Sequence, residues 1–324
     1  MVKMNYMEAV RDGMRQAMIK DERAYIYGED VGFYGGVFGV TKGLFEEFGP
    51  KRVRNTPLSE CAILGEAMGA ALNGLRPIPE IQFADFITVA MAQLVDCIGT
   101  YRYRFGYNLP ITIRMPSGGG MSIGPFHSKS LEAWFIHSPG FKIVMPSTPS
   151  DAKGLFLAAF EDPDPVLFME HKRLYNTISE DVQEGYYTLP LGKAAVRREG
   201  NAATIVTYGG MVGLAMDAAD ILAKEDIAVE VIDLRTLWPL DEETVLNSIK
   251  KTNRVLMLHE AVKIGGFGGE LVARVCEKAF GYLAAPPLRM GAKLTAPPVH
   301  PVLEKVFLPQ VEGVVAKIKE LLQY

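Results

Sequence analysis

The chain has 324 residues, of which 48% are hydrophobic and 22% are charged, and its formal net charge is −4. This composition is typical of a globular protein long enough for two domains or one large α/β domain. The small negative charge gives no support for binding to nucleic acid or to an anionic membrane surface.

The cysteines and the N-terminal residues indicate the compartment. Cys61, Cys97 and Cys276 lie far apart, in a spacing that fits neither a disulfide framework nor a metal site, so we expect reduced thiols. The first residues carry charges throughout and lack an apolar signal core, and no uninterrupted apolar run has the length of a membrane span. We therefore expect a cytoplasmic protein, or a bacterial-type mature form.

The N-terminal part predicts alternating helices and strands. Apolar residues at helical spacing predict an amphipathic helix over residues 6–20. A short buried strand, Ala24–Tyr27, follows and ends at Gly28, before a glycine-rich loop at residues 32–39. The small-residue run SECAILGEAMGAAL predicts a helix with Ser59 as its N-cap and Gly74 as its C-terminal stop. Its many glycine and alanine residues favour close packing against another backbone.

Further elements follow along the chain. RPIPEIQF predicts a strand and FITVAMAQLVDCIGTYRYRFG a long helix, while ITIRMP, KIVMPS and VLFME predict strands, with the helix DAKGLFLAAFED between the last two. From about residue 190 the strands ATIVTYG, AVEVIDLRT and RVLMLHEA alternate with three helices, which predicts a parallel sheet covered on both faces. We therefore expect two domains, at residues 1–190 and 191–324. The tail APPVHPVLEKVFLP predicts extended chain, and residues 311–322 predict a final helix.

Three glutamates stand out in the first half. Glu60 lies in TPLSE, at or just inside a helix N-terminus, where a carboxylate complements the helix dipole. That structural explanation competes with a catalytic one. Glu66 and Glu80 flank or lie within apolar segments, where an acid is either paired or functional.

The run of three glycines at residues 118–120 is followed by GPFHSKS, which contains His127. Glycines between a strand and a helix can cradle phosphate, but the run fits neither GxGxxG nor GxxxxGK[ST], so a flexible loop with a solvated histidine is the alternative. The other histidines have no zinc-ligand spacing.

Several segments together resemble one family. GEDVGFYGGVFGVTKGL, RVRNTPLSE, GLRPIPEIQFADF, RMPSGGG, HSKSLEAWFIHSPGFK, STPSDAKGL, DPDPVLFMEHKRLY and EVIDLRTLWPLD are similar, in order and spacing, to the beta subunits of the thiamine-diphosphate-dependent decarboxylating component of pyruvate and branched-chain 2-oxo acid dehydrogenase complexes. The resemblance covers nearly the whole chain and extends to acetoin dehydrogenase beta subunits.

The resemblance implies an α/β fold, a partner and a cofactor. It implies an N-terminal pyrimidine-binding domain, a transketolase-like C-terminal domain, and an α2β2 heterotetramer with thiamine diphosphate between alpha and beta chains. It also implies transfer of the acyl group to a lipoyl acyltransferase core. The chain contains neither the GDG motif nor the asparagine pair that hold Mg²⁺ and diphosphate in thiamine enzymes. If it is a thiamine enzyme, that half of the site comes from the alpha chain.

The resemblance also assigns roles to residues. Glu60 matches the glutamate that hydrogen-bonds the aminopyrimidine ring, favouring the tautomer whose nitrogen removes the C2 proton. Glu29, Leu58, Gln82 and Phe86 match positions that line the same pocket. His127 matches the histidine near the reacting carbon. The backbone carbonyls of Ile111, Ala159, Asp162 and Asp164 match a potassium site of some members.

Departures from the family pattern and alternative functions accompany this resemblance. Lys129 stands where the family usually has glutamine, Asn55 where it often has aspartate, and Gly39 where a basic residue is common. An acetoin dehydrogenase subunit is an alternative function, as is a fragment of transketolase or of a deoxyxylulose-phosphate synthase. A non-catalytic scaffold subunit is a further alternative, against which the presence of Glu60 and His127 argues.

Overall fold

A computed structural model describes residues 1–324, whose contacts divide the chain into two compact units. The first unit comprises Met1–Ser117 and Trp134–Leu191, and the second comprises Gly118–Ala133 and Gly192–Tyr324. The predicted first domain included residues 118–133, which the contacts assign to the second unit. A boundary between residues 190 and 191 stays a prediction for the limits of independently folding domains.

Fourteen strands and twelve α-helices make up the two units, together with 3₁₀ segments at Ala84–Ala90 and Phe280–Tyr282 and a π-helical segment at Ala92–Ile98. The strands are β1 (Val2–Asn5), β2 (Ala24–Gly28), β3 (Val53–Asn55), β4 (Arg76–Glu80), β5 (Thr112–Ser117), β6 (Lys142–Val144), β7 (Val166–His171), β8 (Ser179–Val182), β9 (Ala195–Arg198), β10 (Ala203–Thr207), β11 (Val229–Asp233), β12 (Thr236–Trp238), β13 (Val255–Val262) and β14 (Leu288–Ala292). The helices are α1 (Tyr6–Lys20), α2 (Leu44–Phe48), α3 (Glu60–Leu72), α4 (Gly99–Phe105), α5 (Glu132–Ile136), α6 (Pro149–Glu161), α7 (Leu174–Thr177), α8 (Met211–Ala223), α9 (Glu242–Thr252), α10 (Gly268–Ala279), α11 (Pro301–Phe307) and α12 (Val311–Leu321).

The first unit contains six parallel strands in the order β6-β7-β5-β4-β2-β3. Because all run in the same direction, their carboxyl ends lie along one edge, where α/β proteins bind ligands. Glu29 follows β2 directly, while Asn55 and Glu80 are the last residues of β3 and β4. Two carboxylates and an amide therefore lie on three neighbouring strand ends.

The opening helix α1 shows why the local pattern was readable. The Asn5 side chain accepts a hydrogen bond from the Glu8 backbone N–H, and the Glu8 carboxylate accepts one from the Asn5 N–H, both at 2.8 Å. This capping box stabilises the start of the helix. Gly13 lets α1 approach α6, since an added Cβ would lie 3.1 Å from the Phe156 ring. The buried faces of both helices belong to the core of the first unit.

The second unit contains a five-stranded sheet in the order β14-β13-β10-β11-β9. The three predicted strands, β10, β11 and β13, are parallel as expected. Two edge strands were not predicted: β14, which is parallel to β13, and β9, which runs antiparallel to β11. Helices α8 and α12 contribute Ala215, Leu222, Val314 and Ile318 to the core of this unit.

The structure corrects two predicted elements. The segment predicted as one long helix consists of the 3₁₀ segment, the π-helical segment and α4 in succession. An added Cβ at Gly99 would lie 3.0 Å from the Pro139 carbonyl oxygen, so the helix changes geometry where two backbones are in close contact. The tail predicted as extended contains α11, whose first residue Pro301 has a φ suited to a helix start. No helix is both long and apolar enough to span a membrane.

Candidate active site

Glu29 is the most unusual polar residue of the first unit. Its side chain is 3% exposed, and neither carboxyl oxygen has a hydrogen-bond partner within the protein. Burial, together with the nearby carboxylates of Glu60, Asp30 and Glu80, raises the pKa of Glu29 to about 7. A buried carboxyl with two unused oxygens is suited to bind a polar group of a ligand, since leaving it unpaired is costly.

Glu60 is the first residue of α3 and is half-buried. It lies close enough to Glu29 to contribute to the raised pKa of that residue. Ser59 occupies the N-cap position, as predicted, but its side chain makes no capping hydrogen bond. The first backbone N–H groups of α3 therefore lack a side-chain cap, and a carboxylate at Glu60 complements the positive end of the helix dipole. This structural role is compatible with a catalytic one.

Glu80 has a structural partner. The Arg114 guanidinium is fully buried and forms an ion pair with Glu80 on one side and a bidentate pair with Glu170 on the other, at 2.7 and 2.8 Å. The Tyr175 hydroxyl donates to Glu170 at 2.6 Å. Burial raises the pKa of Glu80, although Arg114 opposes this effect. Glu80 is thus a paired acid, and Glu66 faces Arg54 at 3.5 Å in an exposed pair.

Leu58, Gln82 and Phe86 lie beside the same elements. Leu58 precedes α3 and is 82% exposed, so its side chain has little contact within this chain. Gln82 follows β4 and is half-buried. The Phe86 ring contacts that of Phe83 edge-on, with 5.6 Å between centroids. The contacts of these three residues with a cofactor stay a prediction.

The glycine-rich loop after β2 is fixed by polar contacts of the first unit. The Asn55 side chain accepts a hydrogen bond from the Gly32 N–H at 2.6 Å, so the amide that departs from the family pattern has a structural function. Arg11 donates to the carbonyls of Gly39 and Val40. Gly39 has a φ of +74°, a conformation that other residues rarely adopt, so the backbone of this chain favours glycine at a position where a basic residue is common in the family.

His127 belongs to the segment that the contacts group with the second unit. Its side chain is half-buried, and its backbone N–H donates to the Gly124 carbonyl at 3.2 Å. The neighbouring Lys129 ammonium lies 5.9 Å from the centroid of the Phe126 ring. The proximity of His127 to a reacting carbon stays a prediction.

The glycine run at residues 118–120 does not have the free amides of a phosphate cradle. The Gly119 N–H donates to the Glu260 carboxylate at 2.6 Å, and the Gly120 N–H donates to the Glu304 carboxylate at 2.9 Å. Two carboxylates of the second unit therefore occupy the backbone N–H groups that the sequence analysis considered for binding phosphate. Sequence reasoning missed Glu260 and Glu304, because neither has a local pattern that indicates such a contact.

The residues of the predicted potassium site lie at the ends of β5 and α6. The Ile111 carbonyl accepts from the Val166 N–H at 2.9 Å, and the Arg76 guanidinium lies 3.5 Å from the Asp162 carbonyl oxygen. One carboxylate oxygen of Asp164 is buried without a hydrogen-bond partner. No group of three or more His, Cys, Asp or Glu side chains is arranged to hold a metal ion. The potassium site, which was predicted at backbone carbonyls, stays a prediction.

Comparison with known proteins agrees with this architecture. The family described as "Transketolase, pyrimidine binding domain" matches residues 2–178, and "Transketolase, C-terminal domain" matches residues 192–314. The fold matches a solved structure described as "Split gene transketolase, inactive beta4 tetramer" with a TM-score of 0.81, at 22% identity and over 99% of this chain and 98% of that chain. The predicted α/β fold class is confirmed.

Sequence identity is higher with beta subunits of 2-oxo acid dehydrogenases than with this solved structure. The chain is 46% identical to the 2-oxoisovalerate dehydrogenase subunit beta of Bacillus subtilis (strain 168), over 99% of both chains. It is 43% identical to the pyruvate dehydrogenase E1 component subunit beta of the same organism, over the full length of both. It is 45% identical to the corresponding subunit of Acholeplasma laidlawii, over 97% of both.

The two domain matches place the chain in the transketolase-like class of thiamine-diphosphate enzymes. Within that class, the full-length relatives show that the chain belongs to the family of E1 component beta subunits of 2-oxo acid dehydrogenases. The family resemblance seen in the sequence is therefore confirmed.

Proposed function

We propose that the chain forms the pyrimidine side of the active site of a 2-oxo acid dehydrogenase that decarboxylates pyruvate or a branched-chain 2-oxo acid. The observation that supports this most is the buried Glu29 carboxyl with two unpartnered oxygens, close to Glu60 at the start of α3. Two full-length relatives are named as subunits of dehydrogenases of 2-oxoisovalerate and of pyruvate.

Thiamine diphosphate, when bound, supplies the nucleophilic carbon that attacks the 2-oxo group. In this proposal Glu60 binds the ring nitrogen and shares a proton with it, while Glu29, Leu58, Gln82 and Phe86 surround the ring. The pKa of Glu29 near 7 lets this carboxyl hold or release a proton at neutral pH. The chain's own residues thus orient the ring and control its protonation.

The remaining half of the site is proposed to come from an alpha subunit in an α2β2 assembly. The relatives are named as subunits of larger enzymes, and this chain lacks the GDG and Asn-Asn motifs for Mg²⁺ and diphosphate. A lipoyl acyltransferase is the proposed acceptor of the acyl group, with His127 near the transferred group. A cytoplasmic location remains part of the proposal.

A potassium ion is a further proposal, at the carbonyls of Ile111, Ala159, Asp162 and Asp164. The buried, unpartnered oxygen of Asp164 supports it, while the nearby Arg76 guanidinium opposes it. A higher melting temperature in KCl than in NaCl of equal ionic strength is the expected sign of this site.

The replacement Glu60→Gln tests the proposed chemistry. Gln keeps the size of the side chain and one acceptor oxygen, but it lacks the carboxyl proton that can be shared with the ring nitrogen. We expect the rate of C2 deprotonation to fall by about 10²–10⁴-fold, measured as deuterium exchange at C2 of the bound cofactor in the assembled enzyme. If Glu60 only complements the dipole of α3, stability changes by about 0.3–1 kcal/mol and the exchange rate stays normal.

The matched control is Glu66→Gln, an exposed carboxylate on the same helix. It should leave the exchange rate unchanged. The substrate is then identified with a panel of pyruvate, branched-chain 2-oxo acids and acetoin on the wild-type assembly. Turnover of acetoin alone would assign the chain to the acetoin dehydrogenases instead.

A further inference from the structure

Glu304 is a buried carboxylate on α11 whose hydrogen bonds all go to one loop. Its side chain is 4% exposed. One oxygen accepts from the Gly120 N–H at 2.9 Å, and the other accepts from the Ser122 N–H at 2.8 Å and the Ser122 hydroxyl at 2.9 Å. Three donors from a three-residue stretch thus converge on one carboxylate.

The backbone of this loop is shaped for that contact. Gly118 and Gly120 both have a φ of +84°, and Ser122 has a φ of +57°, which is unusual for a residue with a side chain. Backbone N–H groups in such conformations can form a concave anion site, and here the N–H groups of Gly120 and Ser122 converge on one carboxylate. Here the anion is a side chain of the protein itself.

Glu260 binds the same segment at two further points. It accepts from the Gly119 N–H at 2.6 Å and from the Ser130 hydroxyl at 3.0 Å. Between these points, Gly124 lies against Val299, since an added Cβ would lie 2.7 Å from a Val299 methyl group. The segment is therefore fixed before, within and after the turn that contains His127.

We propose that Glu304 is a positioning residue for His127: as an internal anion it fixes the start of the loop at residues 118–130 and so sets the orientation in which His127 serves acyl transfer. The inference rests on the proposed function of His127. His127 lies five residues after Ser122 and three before Ser130, so it lies between two points at which buried carboxylates bind the loop. Glu304 itself touches neither substrate nor cofactor in this proposal.

The test uses Glu304→Gln in the assembled enzyme. Gln offers one acceptor oxygen and an NH₂ group, which faces backbone N–H donors and cannot accept from them. We expect hydrogen exchange of the peptide covering residues 118–130 to accelerate at least about tenfold. Lipoyl-dependent turnover should fall at least about tenfold, while the KM for cofactor stays unchanged. Glu312→Gln, an exposed carboxylate of α12, is the control and should change neither quantity.

The decisive readout is the double variant with His127→Ala. If Glu304 acts through His127, the double variant loses no more lipoyl-dependent activity than His127→Ala alone, because the effects of coupled residues are not additive. The inference would be overturned if the activity losses of the two single variants multiply in the double variant. It would also be overturned if hydrogen exchange of residues 118–130 is unchanged in Glu304→Gln. If Glu304→Gln does not assemble, Ser122→Ala removes one of the three hydrogen bonds and should show the same dependence on His127 at smaller amplitude.

The outcomes separate this inference from the proposed function. Normal acyl transfer by His127→Ala means that the role of His127 is wrong, and the inference is wrong with it. A strong loss in His127→Ala, combined with normal transfer in Glu304→Gln, leaves the proposed function standing and refutes the positioning role of Glu304 alone.

Discussion

Glu29 and Glu132 are buried carboxyls, and burial raises the pKa of each to about 7. Glu132 is fully buried; one oxygen accepts from the Tyr208 hydroxyl at 2.7 Å, and the other has no hydrogen-bond partner. Neither carboxyl has a cation that pairs with it. A carboxyl in such surroundings opposes its own ionisation, so both residues make the protein sensitive to pH near neutrality.

Glu132 supplies a prediction about stability and pH. Its pKa is higher in the folded chain than in the unfolded chain, so the contribution of Glu132 to stability is fully present below about pH 4.5 and is lost as pH rises through about 7. The loss is on the order of 3 kcal/mol by pH 8 or above, by conversion of the pKa difference. We expect Glu132→Gln to reduce this decline, measured by urea unfolding of the full chain between pH 5 and pH 9.

The control for this experiment is Glu243→Gln, which alters an exposed carboxylate on α9. It should keep the pH dependence of the wild-type chain. A Glu132→Gln variant whose stability falls with pH as steeply as wild type would show that Glu132 is already ionised in the folded chain.

At the scale of single residues, the sequence indicated only part of the site. Glu29 and Glu60 could be proposed from the sequence because each adjoins a predicted strand end or helix start within a family motif. Glu304 is separated from Ser122 by 182 residues, and Glu132 has no motif that indicates its burial. Local sequence patterns do not show which residues distant in the chain come into contact, so these contacts could be identified only from the three-dimensional structure.

Among the elements, α1 and α3 agreed with the predicted bounds because residue spacing is a local property of the chain, although Ser59 makes no capping hydrogen bond at the start of α3. The segment at residues 84–105 did not, since apolar spacing does not distinguish α-helical from 3₁₀ or π-helical geometry. The edge strand β9 was missed because a short strand with only half-buried and exposed residues gives no continuous apolar run. Long, buried elements are thus the predictable ones.

Helix α3 has glycines that its own unit does not require. Gly65 and Gly69 are exposed, and a Cβ added at either would meet nothing within 4 Å. Glycine within a helix costs about 1 kcal/mol relative to alanine, so these residues reduce the stability of the chain without any benefit to its internal packing. The predicted close packing of α3 against another backbone therefore points to a partner chain.

Replacing these glycines with alanine should raise the stability of the isolated chain but weaken its assembly with the partner. Gly65→Ala and Gly69→Ala should each stabilise the isolated chain by about 0.5–1 kcal/mol, measured by urea unfolding. Both should weaken association with the alpha subunit, measured by analytical ultracentrifugation over a dilution series, because a methyl group separates closely packed backbones.

The matched control is Gly213→Ala on α8, another exposed helical glycine whose added Cβ would meet nothing within 4 Å. It should stabilise the chain by a similar amount and leave assembly unchanged. If the two α3 variants assemble as tightly as Gly213→Ala, α3 is an open surface and not part of the interface.

For the whole molecule, the sequence contains Glu29 and Glu60, which we propose face the pyrimidine ring, but no GDG motif and no adjacent pair of asparagines. A carboxyl pair can bind an uncharged ring, but it repels a diphosphate unless a divalent cation and its ligands are present. We therefore expect this chain to form a permanent complex with an alpha subunit. Interfaces of permanent complexes typically bury more than about 2,000 Å². Closed two-fold symmetry of an α2β2 assembly is the simplest arrangement of two such half-sites.

Cofactor binding should consequently appear only in the complex. Calorimetric titration of the purified chain with thiamine diphosphate and Mg²⁺ should give little or no heat of binding, whereas the complex with the alpha subunit, its α2β2 mass checked by light scattering, should bind tightly. Glu60→Gln in the complex is the internal control: it should weaken binding only modestly, since the diphosphate is held by the partner, while catalysis falls strongly. Tight one-to-one binding by this chain alone would contradict a site shared between two polypeptides, because the chain would then contain metal and diphosphate ligands that its sequence does not show.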